Sequence, residues 1–176
     1  MTERPDAALV EACLQGDRTA YAELVKRHAG HAYAICLAIV GIVPDAQDLA
    51  QEALVKGFVE LDSLKNHERF GAWIAAIAGN LSRNFIRRRA NHERLLAMQT
   101  DCGHEDSDRL SDLRRMLWRL PENYRIPLML YYFDGRTTES IAATLDISPG
   151  AVYTRLRRAR DELRSLLENA EARDEE

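Results

Sequence analysis

The chain has 176 residues, 46% of them hydrophobic, with 24 Lys and Arg against 28 Asp and Glu for a formal net charge of −4. That length and apolar content suit one or two small folded domains and exclude a wholly disordered chain. The longest apolar run, Ala32 to Val43, is broken by Gly41 and stopped by Pro44, too short to span a bilayer.

The chain opens MTERPD, which has no apolar stretch of the signal-peptide kind, so a cytoplasmic protein without direct membrane insertion is expected. Alternation of apolar and polar residues never persists, whereas helical spacing recurs throughout. Asp6 to Gln15 reads as a short helix stopped by Gly16-Asp17. Arg18 to Val40 reads as a long one, with Tyr21, Leu24, Val25, His28, Ala32, Ile35 and Ile39 on one stripe. Asp45 is expected to cap the next helix, with Asp48 in its first turn and Leu49, Ala53, Phe58 and Leu61 facing inward. Gly57 weakens that helix by about 1 kcal/mol relative to alanine. After a polar break, Glu68 to Arg89 resumes the period with Phe70, Trp73, Ile74, Ile77, Leu81 and Phe85 in the core. These elements predict a four-helix domain over residues 1–90. Residues 91–108 are polar and acidic and predict a flexible linker, helical at its start and longer than the usual loop inside a compact domain.

Residues 109–170 predict a second helical domain, and 171–176 an acidic tail. Leu110, Leu113, Met116 and Leu117 form one stripe; Tyr124 to Phe133 and Thr137 to Leu145 follow; Ser148 caps a final helix with Pro149 at its first position. Ile141, Ala142 and Leu145, then Ile147, then Val152 and Leu156 form the inward pattern of a helix-turn-helix, although Asp146 stands where a turn glycine is common. The outward set of the last helix is Ser148, Gly150, Ala151, Tyr153, Thr154, Arg155, Arg157 and Arg158. Its first-turn amides and arginines suit phosphates and guanine edges. A second basic cluster, Arg83 to Arg94, holds five arginines and one acid, while acids gather at Asp101 to Asp112 and Glu168 to Glu176. Two basic patches on an acidic chain point to a polyanion touched locally.

The chain resembles the sigma-70 family of bacterial RNA polymerase sigma factors, and within it the extracytoplasmic-function (ECF) group. LPENYRIPLML from Leu120 and VYTRLRRARDEL from Val152 look like region 4. Gly16-Asp17, AYAEL from Ala20, DAQDLAQEAL from Asp45 and FGAWIAAIAGN from Phe70 follow region 2 in order. The resemblance implies an all-α protein of two small helical domains that directs core RNA polymerase to promoters and assists promoter melting. It assigns Asp45, Asp48, Gln51, Glu52 and Val55 to the β′ clamp helices of polymerase and region 4 to the β flap. It assigns Lys65, Asn66 and His67, in SLKNHE, to a base flipped from the −10 element. Asn80, Arg83, Asn84, Arg87 and Arg88 are assigned to the opened strand, on the side of their helix opposite Trp73 and Ile77. The final helix is assigned to the −35 element, where Ala151 and Tyr153 depart from the common pattern. An anti-sigma factor is a further implied partner.

No Gly-rich phosphate loop or nucleophile elbow is present, and neither an enzymatic activity nor a cofactor is expected. Two other readings stay open from the residues. One is a stand-alone helix-turn-helix regulator, which has no use for the Asp45 to Leu54 motif. The other is a metal-responsive sensor built from His28, His31 and Cys36, with Cys102 and His104 in the linker; three scattered cysteines without a CxxC pair give it little support.

Overall fold

The computed structural model describes residues 4–97 and 115–174, the side chains of residues 92–97 and 170–174 excepted. The expectations placed on Cys102, His104, Leu110 and Leu113 lie outside those residues. Among the described residues every regular element is helical: α1 (Asp6–Leu14), α2 (Arg18–Val40), α3 (Val43–Val59), α4 (Phe70–Ala97), α5 (Glu122–Tyr132), α6 (Thr138–Leu145) and α7 (Pro149–Asp174). Two single 3-10 turns, Leu61–Ser63 and His67–Arg69, join α3 to α4, and residues 115–119 are helical ahead of α5. α4 passes residue 90 and continues to Ala97, so the start of the expected linker extends a helix.

α2 is the axis of the molecule. Asp17 caps it by accepting from the Thr19 amide at 2.9 Å. The predicted stripe is buried, with Val25 half-buried, but so are His31, Ala34, Cys36, Leu37, Ala38 and Val40. The C-terminal half of α2 therefore has no solvent face: α1, α3 and α4 cover one side and α5 the other. Burial pushes the Cys36 thiol up to about 11, which leaves it a neutral core residue.

α3 corrects two expectations. Its cap is Ile42, with Val43 and Pro44 opening the helix and Asp45 inside the first turn. The fixed φ of Pro44 and its missing N–H suit that start, so the aspartate is not needed as a cap. Phe58 is 42% exposed and only lays its ring edge on Tyr21, at 4.8 Å between centroids. Ala46, Ala50, Leu54 and Gly57 take the inward positions instead. Gly57 is the contact point: a Cβ there would run into the Ile74 side chain and the Tyr21 hydroxyl. That hydroxyl donates to the Leu54 carbonyl at 2.5 Å, fixing α2 against α3.

The second domain docks onto α2 through polar groups that are fully engaged. α2 ends at Gly41, in the left-handed region at φ 79°, and the Trp118 indole lies where a side chain at Gly41 would stand. The Gly41 amide takes the Leu37 carbonyl, and Arg125 Nε donates to the Ala38 carbonyl at 2.5 Å. The same guanidinium donates through Nη1 to the Leu120 and Trp118 carbonyls at 2.8 and 3.1 Å and stacks on the Trp118 ring. A cation thus satisfies an orphan carbonyl at a helix C-terminus.

Farther along α2, a directional relay crosses between the domains. Arg136 Nη2 donates to His31 Nδ1 at 2.7 Å and to the Arg27 carbonyl at 2.8 Å. A guanidinium has only donors, so His31 Nδ1 accepts and its proton sits on Nε2. That N–H donates to His28 Nδ1 at 2.8 Å, and His28 Nε2–H donates to Asp6 at 2.6 Å. The His28 hydrogen bond holds the Asp6 carboxyl below its usual range, with Arg27 adding to it. Asp134 completes the set, receiving Arg136 Nε at 2.8 Å. Among the described residues, no three His, Cys, Asp or Glu side chains are grouped to hold a metal ion.

Two tests follow from this packing. Alanine at an ordinary helix-interior glycine stabilises by about 1 kcal/mol. Gly57→Ala should instead destabilise by about 1–3 kcal/mol in denaturant unfolding, because the core has no room for the methyl. The second concerns acid. Burial first, then His28 and Arg136, push the His31 pKa down to about 3, below the ordinary value of about 6.5. A group depressed in the folded form contributes stability that is present above its free pKa and lost as pH falls toward the folded one. Unfolding midpoints should therefore drop progressively below about pH 6.5. His31→Gln should flatten that slope; an identical slope in the variant would remove His31 from the account.

Candidate nucleic-acid interface

The helix-turn-helix is built as its pattern requires. Thr137 accepts from the Ser140 amide at 3.2 Å to start α6, and Ser148 accepts from the Ala151 amide at 3.2 Å to start α7. Asp146 ends α6 in the left-handed region at φ 55°. The Ile147 amide returns to the Ala142 carbonyl at 3.1 Å, which places Ile147 in the turn as a plug. Val152, Leu156 and Ala159 are buried on the inner side of α7. Ser148, Gly150, Tyr153, Thr154, Arg157 and Arg158 are exposed, and Ala151 and Arg155 are half-buried. Arg158 Nη1 donates to the Tyr124 hydroxyl at 3.2 Å, which orients its guanidinium. The Thr154 hydroxyl is turned back onto the Gly150 carbonyl at 2.9 Å. Arg155 shares a small cavity with Arg83, Glu122, Asn123 and Leu145.

In the first domain, Lys65, Asn66, Asn80 and Arg83 line one groove, whose floor includes Leu64, Ala72, Trp73, Ala76 and Gly79. This corrects the expected placement of the α4 residues opposite Trp73. Asn80 lies seven residues beyond Trp73, and that interval returns to nearly the same face of a helix. Trp73 is thus half-buried, packed toward Phe70 and open to the groove. Asn84 and Arg87 continue the face, joined by an Arg87 Nη2 to Asn84 Oδ1 bond of 2.9 Å, and Arg88 is exposed. His67 stands apart, half-buried and 3.7 Å from Glu11. Asn66 has a structural duty as well, accepting from the Glu68 amide at 3.1 Å to cap the 3-10 turn. Arg69 also lines the groove. Its place, seven residues before Ala76 and fourteen before Arg83, was the signal for including it.

A third surface lies on α3. Asp48, Gln51, Glu52 and Val55 are all exposed, as expected, and Val59 extends the row at 72% exposure. Positions 48, 52, 55 and 59 fall on one helical stripe, with acids at one end and apolar groups at the other. Asp45 is half-buried and lies 3.6 Å from Arg89 of α4. An acidic stripe ending in valines matches a partner that offers both cations and apolar side chains.

The family model described as Sigma-70 region 2 matches residues 24–92, and that described as Sigma-70, region 4 matches residues 110–163. The ECF RNA polymerase sigma factor SigW of Bacillus subtilis is 29% identical over 171 residues, covering 87% of this chain and 91% of that one. The ECF RNA polymerase sigma-E factor of Escherichia coli K12 is 30% identical, covering 89% and 91%. Among solved structures, CnrH in complex with the cytosolic domain of CnrY is 26% identical with a TM-score of 0.67, covering 94% of this chain and 99% of that one. The sigma factor RpoE in complex with the anti-sigma factor NepR from Bartonella quintana shares the fold, at 22% identity and a TM-score of 0.59 over 84% of this chain and 96% of that one. With regions 2 and 4 both present and in order, and this similarity running over most of its length, the chain belongs to the ECF sigma factors of the sigma-70 family, which direct RNA polymerase to promoters.

Proposed function

We propose that each of the three surfaces has its own task in transcription initiation. The exposed face of α7, with Ser148, Gly150, Ala151, Tyr153, Thr154, Arg155, Arg157 and Arg158, reads the −35 major groove. The groove residues Lys65, Asn66, Asn80 and Arg83, with His67, Asn84, Arg87 and Arg88, capture the −10 strand and a flipped base. The α3 stripe, Asp48, Gln51, Glu52 and Val55 with Asp45 behind it, docks on the β′ clamp helices, and region 4 docks on the β flap. The −10 module ends near residue 90 and the −35 module begins near residue 109. The protein carries out no covalent step of its own and works in the cytoplasm; among the described residues no helix is long and apolar enough to cross a membrane.

The observation that carries this reading is the separation of charge on the surface. An acidic chain keeps two cationic faces for DNA and an acidic, valine-edged stripe for a protein. Cations that hold phosphates supply affinity, and exposed planar groups beside them read bases. A stand-alone regulator would leave the α3 stripe without a purpose. An anti-sigma factor would act by covering these surfaces; CnrH, to which this chain is similar, is solved in complex with a protein partner, the cytosolic domain of CnrY.

Paired substitutions test the division of labour. Arg157→Ala with Arg158→Ala should weaken binding of the reconstituted holoenzyme to a −35 duplex by about tenfold or more and lower the salt slope by about 2. Affinity for core polymerase should be unchanged. Asp48→Ala with Glu52→Ala should reduce core binding and run-off transcription while leaving DNA contacts made by the assembled complex intact. Equal losses in both assays from either pair would refute the assignment.

A further inference from the structure

We propose that Tyr124 is a positioning residue for the −35 contact: its hydroxyl, on α5, holds the Arg158 guanidinium of α7 in the pose in which it meets the duplex. This rests on the reading of the α7 face as the −35 surface.

The arginines of α7 are not equivalent. Arg160 turns back along its own helix, with Nε donating to the Leu156 carbonyl at 3.3 Å. Arg155 is half-buried, in a cavity it shares with Glu122 and Asn123. Arg157 and Arg158 are exposed and stand on opposite flanks of the outward face, with Thr154 between them. Of these two, Arg158 is the one that another helix holds, its Nη1 donating to the Tyr124 hydroxyl at 3.2 Å.

The partner is an unusual one for an arginine in this setting. Asp161 and Glu162 follow Arg158 by three and four residues, the spacing at which a helix ordinarily pairs opposite charges. Both line the same open hollow as Arg158 and Tyr124, together with Ser165. Among the described residues, the guanidinium nevertheless lies on the phenol and not on either carboxylate. A neutral acceptor orients a cation without cancelling its charge. A carboxylate in its place would have to be displaced before a phosphate or a guanine edge could bind. With one N–H of Nη1 taken up by Tyr124, the Nε–Nη2 edge stays open for a bidentate acceptor.

Tyr124 is suited to hold because it is itself fixed within the second domain. Its amide donates to the Pro121 carbonyl at 2.9 Å in the first turn of α5, and its half-buried ring packs on the core. Arg125, the next residue, binds the Leu120 and Trp118 carbonyls of the same domain. A free arginine gives up much rotamer freedom on binding, and one already held gives up less.

The test uses holoenzyme reconstituted from the full chain and core polymerase, with the −35 duplex that the wild-type holoenzyme enriches from a random pool. Tyr124→Phe keeps the ring and removes the acceptor, so thermal unfolding and affinity for core should match the wild type. Its affinity for that duplex should fall about three- to tenfold. The second readout is coupling. In an Arg158→Ala background, Tyr124→Phe should weaken duplex binding no further. In an Arg157→Ala background it should weaken binding by the same factor as in the wild type. A merely structural role of Tyr124 would act on both backgrounds alike.

Unchanged duplex affinity in Tyr124→Phe would overturn the positioning role. So would an equal loss in both backgrounds, or a loss matched in core binding. Arg158→Ala separates this inference from the reading beneath it. If that variant binds the duplex as the wild type does, the −35 assignment of Arg158 fails and Tyr124 with it. If it binds weakly while Tyr124→Phe is neutral, the assignment stands and only the positioning role is removed.

Discussion

The arrangement of the whole molecule depends on how α2 ends. A helix that is buried at its C-terminus leaves carbonyl groups with no water to meet, and each one left unpaired costs as much as a lost hydrogen bond. Here the Gly41 amide takes one of them, and Arg125 of the second domain takes the next. Carbonyls of Ala38, Leu117, Trp118 and Leu120 share the guanidinium, and the Glu122 carboxylate acts on it by its charge. Burial lowers its pKa from the usual value, yet it stays a cation, because the negative end of α2, four carbonyl acceptors and the charge of Glu122 stand around it. With this one group inserted, the register of α5 against α2 is set, and the distance between the α4 groove and the α7 face follows from it.

Two kinds of contact meet at that interface, and they differ in how readily they give way. Arg125 and the His31 relay are buried and depend on exact partners, so disturbing them is costly. Arg69–Asp146 and Arg83–Glu122 are exposed and compete with solvent and salt. An interface of this mixed kind can open at its rim first. The rim is where Arg69 and Arg83 of the α4 groove lie.

Much of this was legible in the sequence because helical period and capping chemistry are local. The Arg18 to Val40 helix, the Ser148 cap and the inward set Val152 and Leu156 all follow from residues within a turn or two of each other. What was not legible depended on distant neighbours. His31, Ala34 and Ala38 lie off the main stripe of α2, and their burial goes with the arrival of the second domain, through α5 and the Asp134 to Arg136 turn after it. Gly57 reads locally as a weak point of α3, but its reason is Ile74 and Tyr21 from other helices. Trp73 was assigned wholly to the core since an aromatic at helical spacing usually belongs there. Its second face on the groove could be found from its seven-residue interval to Asn80. The α3 stripe was legible as exposed, while its task rested on the family resemblance.

Asp146 joins the two scales. By local rules it is a slightly unfavourable substitute for glycine, and a reading confined to the turn counts it as a flaw in the motif. Across the interface it is a counter-ion. The same logic extends to the net charge: a chain of −4 should bind DNA poorly as a free molecule, although it carries two clusters of arginines. Its acids are not spread evenly to produce that balance. Glu122 and Asp146 are set against Arg83 and Arg69, so these charges are paired locally across the interface. The negative charge that balances these two arginines thus comes from region 4 and not from region 2, which carries them.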